Sequence, residues 1–513
     1  MSKYIGFVIV VLLLIGGCSK YQPLTDEALA SLNEVSEQNL YFTESSLHKQ
    51  KLPLYDYSVT KDTELSRDVL ETLRIVNQES SNSSSSFTKK EILEDIEVMH
   101  LSLKYMYALY EYMGGDLTFE TARDLLVKDV QAHEEDVMTK AQILHLIERH
   151  YHFIADAHFK IDQTPLNTSG YEFFTTSLYS FIQDETGDFW SIGREKAQLL
   201  SVNNDHDIES YIRPTINENG DIGYILGIFS PPLNKEEREW RVVLQVGDKK
   251  KEEIVELRPE SKELSKSRQG SRLLLTEKEG VPWLQIRSMF VLENDPFSYS
   301  DIIKTAREVR DEPYLVLDVR GNSGGSMILV KKWLEEFFKK PVSWNSKSIY
   351  LFSDTGKTFV QDTVDLYLKQ GLSTETFEEG YTDINRLENL NGPLGPTWEV
   401  EENEFHQVTD NETQIFILTD GNTASAAEHL VAQLKLANQT TVVGMSTMGA
   451  MISGNALIYQ LPHTNIKMEV PTYFNYNTDI INKETVGLQP DFWVRPEVTE
   501  QRVLAFINKN RDK

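Results

Sequence analysis

Along the 513 residues of this chain the apolar positions change period several times, and the changes divide it. An unbroken apolar run from Ile5 to Ile15 follows Lys3 and ends at Gly16-Gly17-Cys18. It is too short to span a membrane as a mature helix, and it reads as a leader over residues 1–18. From Ser19 to about Lys61 polar residues prevail without sustained period, and Gln78 to Ser86 is a low-complexity stretch. Residues 19–88 are therefore expected to form a tether and flexible N-terminal segment. A period of three to four then sets in: Ile92, Ile96, Met99, Leu103, Met106, Leu109 and Met113 recur until Gly114-Gly115. Further helices are predicted over Leu117–Val130 and Thr139–Ile154, giving a helical domain at 89–168. From Phe153 to Ile161 the pattern turns strand-like, which places His158 at a helix-to-strand turn.

Between Tyr171 and Glu260 strands and turns alternate, with Trp240–Val246 and Glu253–Leu257 joined across a Gly-Asp turn. A small β-rich, PDZ-like module is expected at 169–275, although the glycine-rich carboxylate-binding loop of a PDZ domain is not evident. From Val281 onward strands alternate with helices, the pattern of an α/β core at 276–513. Two junctions in it stand out. The apolar strand Tyr314–Val319 runs into Arg320-Gly-Asn-Ser-Gly-Gly325 and then a helix through Phe338, so the backbone of Gly324 or Gly325 can approach a ligand and offer an N–H. The loop lacks the Gly-Lys-Ser/Thr ending of a phosphate site. Ile415 to Leu430 is likewise a strand, a tight turn and a helix start. Ser425 at that junction fits two roles, a nucleophile beside free helical N–H groups or the cap of a Ser-Ala-Ala-Glu428 capping box, and these residues alone leave both open.

Composition narrows the function. Apolar content of 40% is that of a globular protein, and 51 basic against 79 acidic residues give a net charge of −28, spread along the chain. Without clustered Lys and Arg a nucleic-acid partner is not expected. Cys18 is the single cysteine, so no intramolecular disulfide can form. His145, His150 and His152 lack the H-x-x-x-H spacing of a helical metal pair, so no metal site is expected. His429, one helical turn after Ser425, is expected on the helix surface facing away from substrate, and His463 in a surface turn.

Two resemblances bear on what these parts do. Ile15-Gly-Gly-Cys18 resembles the bacterial lipoprotein cleavage box, which implies that Cys18 is lipidated and becomes the N-terminus. Four blocks in order, Asp156-Ala-His158, Leu317 to Gly325, Thr423 to Glu428 and Gly487-Leu-Gln-Pro-Asp491, resemble the tail-specific, or C-terminal processing, serine peptidases. That family includes the tricorn core and the interphotoreceptor retinoid-binding protein. The likeness implies a crotonase/ClpP-like α/β catalytic core, Ser425 as nucleophile, and an oxyanion hole from the N–H groups of Gly324, Gly325 and Ala426. Where the Ser–Lys members carry Thr-x-Gly-Lys-Gly, this chain reads Thr447-Met-Gly-Ala450-Met451, and alanine cannot take a proton. The tricorn-like branch instead implies His158 as base, oriented by Glu484, with Asp479 in the same loop. No cofactor is implied. The expectation is a membrane-tethered serine endopeptidase acting on exported proteins or peptides in the bacterial cell envelope, outside the cytoplasm. A catalytically inactive binding lipoprotein on the same fold, or an esterase using the same serine, are the alternatives.

Metabolic labelling with a fatty acid is expected to mark the wild-type chain and not Cys18→Ala; equal labelling of the two would exclude lipidation at that cysteine.

Overall fold

The computed structural model describes residues 21–43, 51–75, 86–167, 170–193, 196–262, 271–380, 395–403 and 411–511. The leader with Cys18 and nearly all of Gln78–Ser86 lie outside the described residues. The expectation of a tether over 19–88 is corrected where it can be seen. Helix α1 (Asp26–Ser36) starts at the Thr25 side-chain cap, and Leu24, Ala28 and Leu32, spaced by four, bury one face of it against the core. Further on, Ser66 caps a helix over Arg67–Leu73 that buries Leu70 and Leu73. Both segments read as polar because only one side of each is buried.

Three helices follow, α2 (Lys89–Met106), α3 (Gly115–Ala132) and α4 (Lys140–Tyr151). Capping boxes Thr88/Glu91 and Thr139/Gln142 open α2 and α4. The periodic run predicted α2 to continue to Met113, but it stops at Met106. Tyr107 is extended there, the Ala108 N–H donates to Pro471 O at 3.0 Å, and the Tyr107 hydroxyl reaches Asp156 at 3.0 Å. Tertiary partners outbid the helical ladder, and Gly114 (φ 110°) opens α3 instead of closing α2. These helices share one core with an antiparallel sheet built on Lys347–Phe352, Ser453–Gln460 and Lys467–Tyr476: Ile92, Leu103 and Phe119 pack in the cluster that holds Ile349, Leu457 and Phe474. The short strand Lys160–Ile161 pairs with Met468 and Glu469 in that sheet, which anchors the turn carrying His158.

The β module is an eight-stranded antiparallel arrangement that includes Glu172–Gln183, Ile212–Ile216, Ile222–Ser230, Glu239–Val246 and Lys249–Glu256, packed around Phe174, Phe181, Leu226, Trp240 and Val242. In the α/β core six strands run in the order β1 (Leu273–Lys278), β2 (Val281–Ile286), β3 (Tyr314–Asp318), β4 (Gln414–Thr419), β5 (Thr440–Gly444), β6 (Phe492–Trp493), parallel except at β1. A parallel sheet buries both faces, which is why β3 and β4 read as unbroken apolar runs. Leu315, Leu317, Ile415 and Ile417 face α5 (Tyr299–Val309), α6 (Met327–Phe338) and α7 (Ala426–Leu434). Tyr314, Val316, Phe416 and Leu418 face the other way, under α1 and α8 (Pro496–Asn510). Among the described residues no helix is long and apolar enough to cross a membrane.

A buried ion pair fastens α1 to this core. The Lys435 ammonium lies 2.7 Å from both Asp491 carboxylate oxygens and 2.8 Å from Ser36 O at the end of α1. Asp491 also accepts from Ser36 Oγ, Asn39 Nδ2 and the Val442 N–H. Because removing one partner strands the other in a dry site, Asp491→Ala is expected to lower the unfolding free energy by about 3–5 kcal/mol and to expose Asp26–Ser36 to limited proteolysis.

Candidate active site

Strands β3 and β4 are neighbours and parallel, so the loops after them leave the sheet at the same end, where open α/β sheets hold their ligands. Polar groups stitch those loops together. The Asn322 amide, fully buried, donates to Ile286 O, and Asn322 O accepts from the Ala424 N–H at 2.9 Å. The Gly321 N–H donates to Asp420 Oδ1, and Thr423 Oγ1 donates to Val319 O. A Cβ added to Gly324 (φ 96°) would lie 2.7 Å from the Cβ of Ser425, so the close approach requires glycine there.

Ser425 sits at the strand–turn–helix junction with φ 54° and ψ −123°, a left-handed backbone costly for any residue with a Cβ. The α7 helix holds it there. Glu428 Oε2 accepts the Ser425 N–H at 2.9 Å and the Ala450 N–H at 2.8 Å, while Oε1 accepts from Thr447 Oγ1 at 2.5 Å and the Gly449 N–H at 2.7 Å. Burial pushes the Glu428 carboxyl up, and those four hydrogen bonds pull it back down.

The serine's partner arrives from the other side. His158 Nε2 lies 3.0 Å from Ser425 Oγ, so the fold joins residues 267 positions apart. The residue is half-buried with its Nδ1 out of solvent, and with no carboxylate on the ring this desolvation drives its pKa down to about 4, with Lys160 adding to the effect. Two acids hold its turn by the backbone. Asp156 Oδ1 accepts the His158 N–H at 2.9 Å and the Ser453 hydroxyl at 2.5 Å, and its Oδ2 accepts from Tyr107. Glu484 Oε1 accepts the Ala157 N–H at 3.0 Å, and Oε2 accepts the N–H groups of Met451 and Ile452, both at 2.8 Å. Burial and then the nearby Asp156 carboxylate raise Glu484 to about 8.

Several sequence expectations are corrected here. Glu484 does not touch the second ring nitrogen of His158: that Nδ1 is buried and has no partner among the described residues, because both Glu484 oxygens are spent on backbone N–H groups. Asp479 is further removed, bonded to Thr43 in the N-terminal segment. The Gly324 N–H is already donated to Asn322 Oδ1 at 2.9 Å, which takes it out of the oxyanion hole. Those of Gly325 and Ala426 have no acceptor among the described residues and remain available. His429, expected on the helix surface, is buried with Nε2 3.2 Å from Met451 O and from Asn475 Nδ2. Sequence reasoning missed Asn322, the backbone role of Asp156 and the reach of Glu428 to Thr447, Gly449 and Ala450, while the Glu428 bond to the Ser425 N–H is the one a capping box predicts; the Asp-x-His spacing of 156 and 158, suited to a side chain bonding the backbone two residues on, is the signal for Asp156. Among the described residues no three His, Cys, Asp or Glu side chains converge to hold a metal ion.

Residues 283–494, less than half of the chain, match the model described as Peptidase family S41. The matched region is that of a serine-type peptidase, and it contains Ser425 and Glu484 but not His158. No curated protein matches the chain. Among solved structures it is similar to mature CPAF, at 12% identity over 82% of this chain and 95% of that one, with a TM-score of 0.40. It is also similar to the photosystem II D1 C-terminal processing protease, at 13% identity over 83% and 97% with a TM-score of 0.33. A lipoprotein from Streptococcus agalactiae is similar at 11% identity over 84% and 99%, with a TM-score of 0.33. These superpositions are too loose for any role to be carried across.

To serve as the base for Ser425, His158 would have to be neutral, and its pKa of about 4 keeps it so above that pH. The acid limb of kcat/KM is therefore expected near pH 4, well below the ordinary histidine value of ~6.5. The sign for stability is the same: between those two values the unfolded chain binds a proton that folded His158 refuses, so this residue's contribution is intact above ~6.5 and is lost as the pH falls. A pH–rate profile with its acid limb at 6.5 would show that a carboxylate does reach the ring.

Proposed function

We propose that this chain is a serine endopeptidase in which His158 is the base for Ser425, held on a membrane through lipidated Cys18 and acting on exported proteins or peptides outside the cytoplasm. The Ser425 Oγ to His158 Nε2 contact of 3.0 Å is the observation that carries the reading. In the first step the Ser425 hydroxyl proton moves to His158 Nε2 as Oγ bonds to the scissile carbonyl carbon. The carbonyl oxygen takes the negative charge and receives the N–H groups of Gly325 and Ala426. The imidazolium then returns its proton to the leaving amine as the C–N bond breaks, which leaves an ester on Ser425. Water, deprotonated by the same imidazole, releases the acyl group as an acid and restores the serine.

Glu484 and Asp156 serve in this scheme through the backbone of the His158 turn. The Ser–Lys alternative has no group to run on at position 450, since Ala450 is buried and its N–H is tied to Glu428. That alanine is also the feature favouring the competing reading, a binding lipoprotein on a peptidase fold.

Ser425→Ala and His158→Ala are each expected to lower hydrolysis of an unstructured protein by about 10⁴-fold or more while the unfolding midpoint stays close to wild type. A fluorophosphonate probe separates the two readings. It labels Ser425 in a peptidase, and labelling that is absent from the wild type, or unchanged in Ser425→Ala, would sink the proposal.

A further inference from the structure

A cavity of about 830 Å³ lies between the β module and the α/β core, within the size range of roughly 300–1,000 Å³ typical of ligand sites, which favour such junctions. Ser425, His158 and Gly325 do not line it. Its floor holds Phe173, Trp493 and Met445, the two rings stacked with centroids 4.2 Å apart. Its rim carries Leu178, Ile192 and Ile254, exposed to 66%, 45% and 59%. Branched apolar side chains left in water around one opening mark a surface that is covered in use.

The backbone says what kind of molecule covers it. The ladder between Glu172–Gln183 and Ile222–Ser230 skips from the pair Thr175–Gly227 to the pair Ser180–Ile225. In the gap Thr176, Ser177 and Leu178 have no cross-strand partner among the described residues, the Leu178 N–H turning back to Thr176 Oγ1 at 3.3 Å, and all three line the cavity. Strand backbone released from its ladder beside an apolar hollow suits an extended polypeptide, which pairs through main-chain hydrogen bonds and places alternate side chains in the hollow. The charges decide which part of a polypeptide. Arg258, Arg495 and Arg502 line the cavity together with Glu218, Glu256 and Glu260. Glu256 lies 3.7 Å from Arg258, and Arg495 acts on Glu260. Opposite charges balance, so a free terminal carboxylate gains nothing here over an uncharged stretch.

The cavity also lies one short segment from the nucleophile. Met445 on its floor donates its N–H to Thr419 O, and Met448, three residues on, donates to Thr423 O in the turn before Ser425. We infer that the cavity is an exosite for an extended, apolar, internal segment of the polypeptide substrate, held apart from the bond that is cut. This rests on the peptidase reading above.

The test is binding to the full chain carrying Ser425→Ala, so that turnover plays no part. The probe is a fluorescein-labelled, end-capped ten-residue peptide of alternating leucine and serine, followed by anisotropy. Adding Leu178→Asp or Ile254→Asp, both at side chains already exposed, is expected to weaken binding about tenfold or more, since a desolvated charge would face the apolar segment. Leu117→Asp, on the α3 surface and 81% exposed, should bind like the parent. Equal affinity in all four proteins overturns the proposal. So does an uncapped peptide that binds tenfold more tightly than the capped one, because the cavity would then be reading a terminal carboxylate. Loss of hydrolysis in the wild type with peptide binding intact would instead sink the peptidase reading and leave the binding site standing.

Discussion

The Glu428 carboxylate is the contact on which the catalytic end of the sheet depends. A serine at φ 54° would relax toward an ordinary helical or extended backbone if nothing held it, and such a conformation costs on the order of 1–3 kcal/mol. Glu428 opposes that relaxation by accepting the Ser425 N–H, and with the same carboxylate it gathers the segment Thr447–Ala450 through a hydroxyl and two more N–H groups. One buried acid therefore fixes the backbone of Ser425 against the neighbouring loop. Its burial is costly, and four donors are what make it tolerable. The capping box visible in the sequence is thus part of the site, because the Ser425 N–H that Glu428 accepts belongs to the residue whose hydroxyl meets His158.

A second pair of acids does for His158 what Glu428 does for Ser425. Asp156 and Glu484 lie buried near one another, and each contacts the His158 turn through main-chain N–H groups. Their other bonds reach Tyr107, Ser453, Met451 and Ile452. The first belongs to the end of α2 and the rest to the segment that follows the loop gathered by Glu428. The position of the imidazole is therefore set by the helical region and the core together. The N-terminal segment joins in at one remove: Tyr41 and Asn39 bond Gln489 O, and Thr43 bonds Asp479, at the two ends of the stretch that carries Glu484.

How much of this was legible depended on the range of the interaction. The strands and helices of the α/β core were readable because a parallel sheet covered on both faces needs continuous apolar runs: Tyr299–Val309 as a helix and Tyr314 onward as a buried strand stand where the pattern put them. Ser425 and His158 could be paired only through a family likeness, since nothing local in either segment points 267 residues away. A helix packed on one side looks polar on average, so the α1 stripe reads as a tether, and periodicity carries α2 on to Met113 because it does not reveal that Pro471 O competes for the Ala108 N–H. No spacing rule discloses that the Glu484 oxygens are committed to backbone donors and not to the His158 ring.

Alanine at position 450 and histidine at position 158 belong to one solution. The N–H groups of Ser425 and Ala450 donate to the same oxygen of Glu428, so a side chain at 450 starts beside the nucleophile. A lysine there would have to be neutral to act as a base, and bringing an ammonium of ordinary pKa ~10.4 down toward neutrality takes a dry site with other cations close by. It would also share that site with a half-buried imidazole that must become positive in the transition state, and two adjacent cations oppose each other. Histidine avoids the first difficulty because it is neutral at the start; its cost is that the imidazolium must be stabilised where no carboxylate meets Nδ1. Asp156 and Glu484 meet the backbone of the turn and not the ring, and burial first, then the Asp156 carboxylate, raise Glu484 to about 8. Carrying His158 outside the parallel sheet, on the turn after the helical region, makes the Ser425–His158 contact conditional on residues that the sheet does not itself contain.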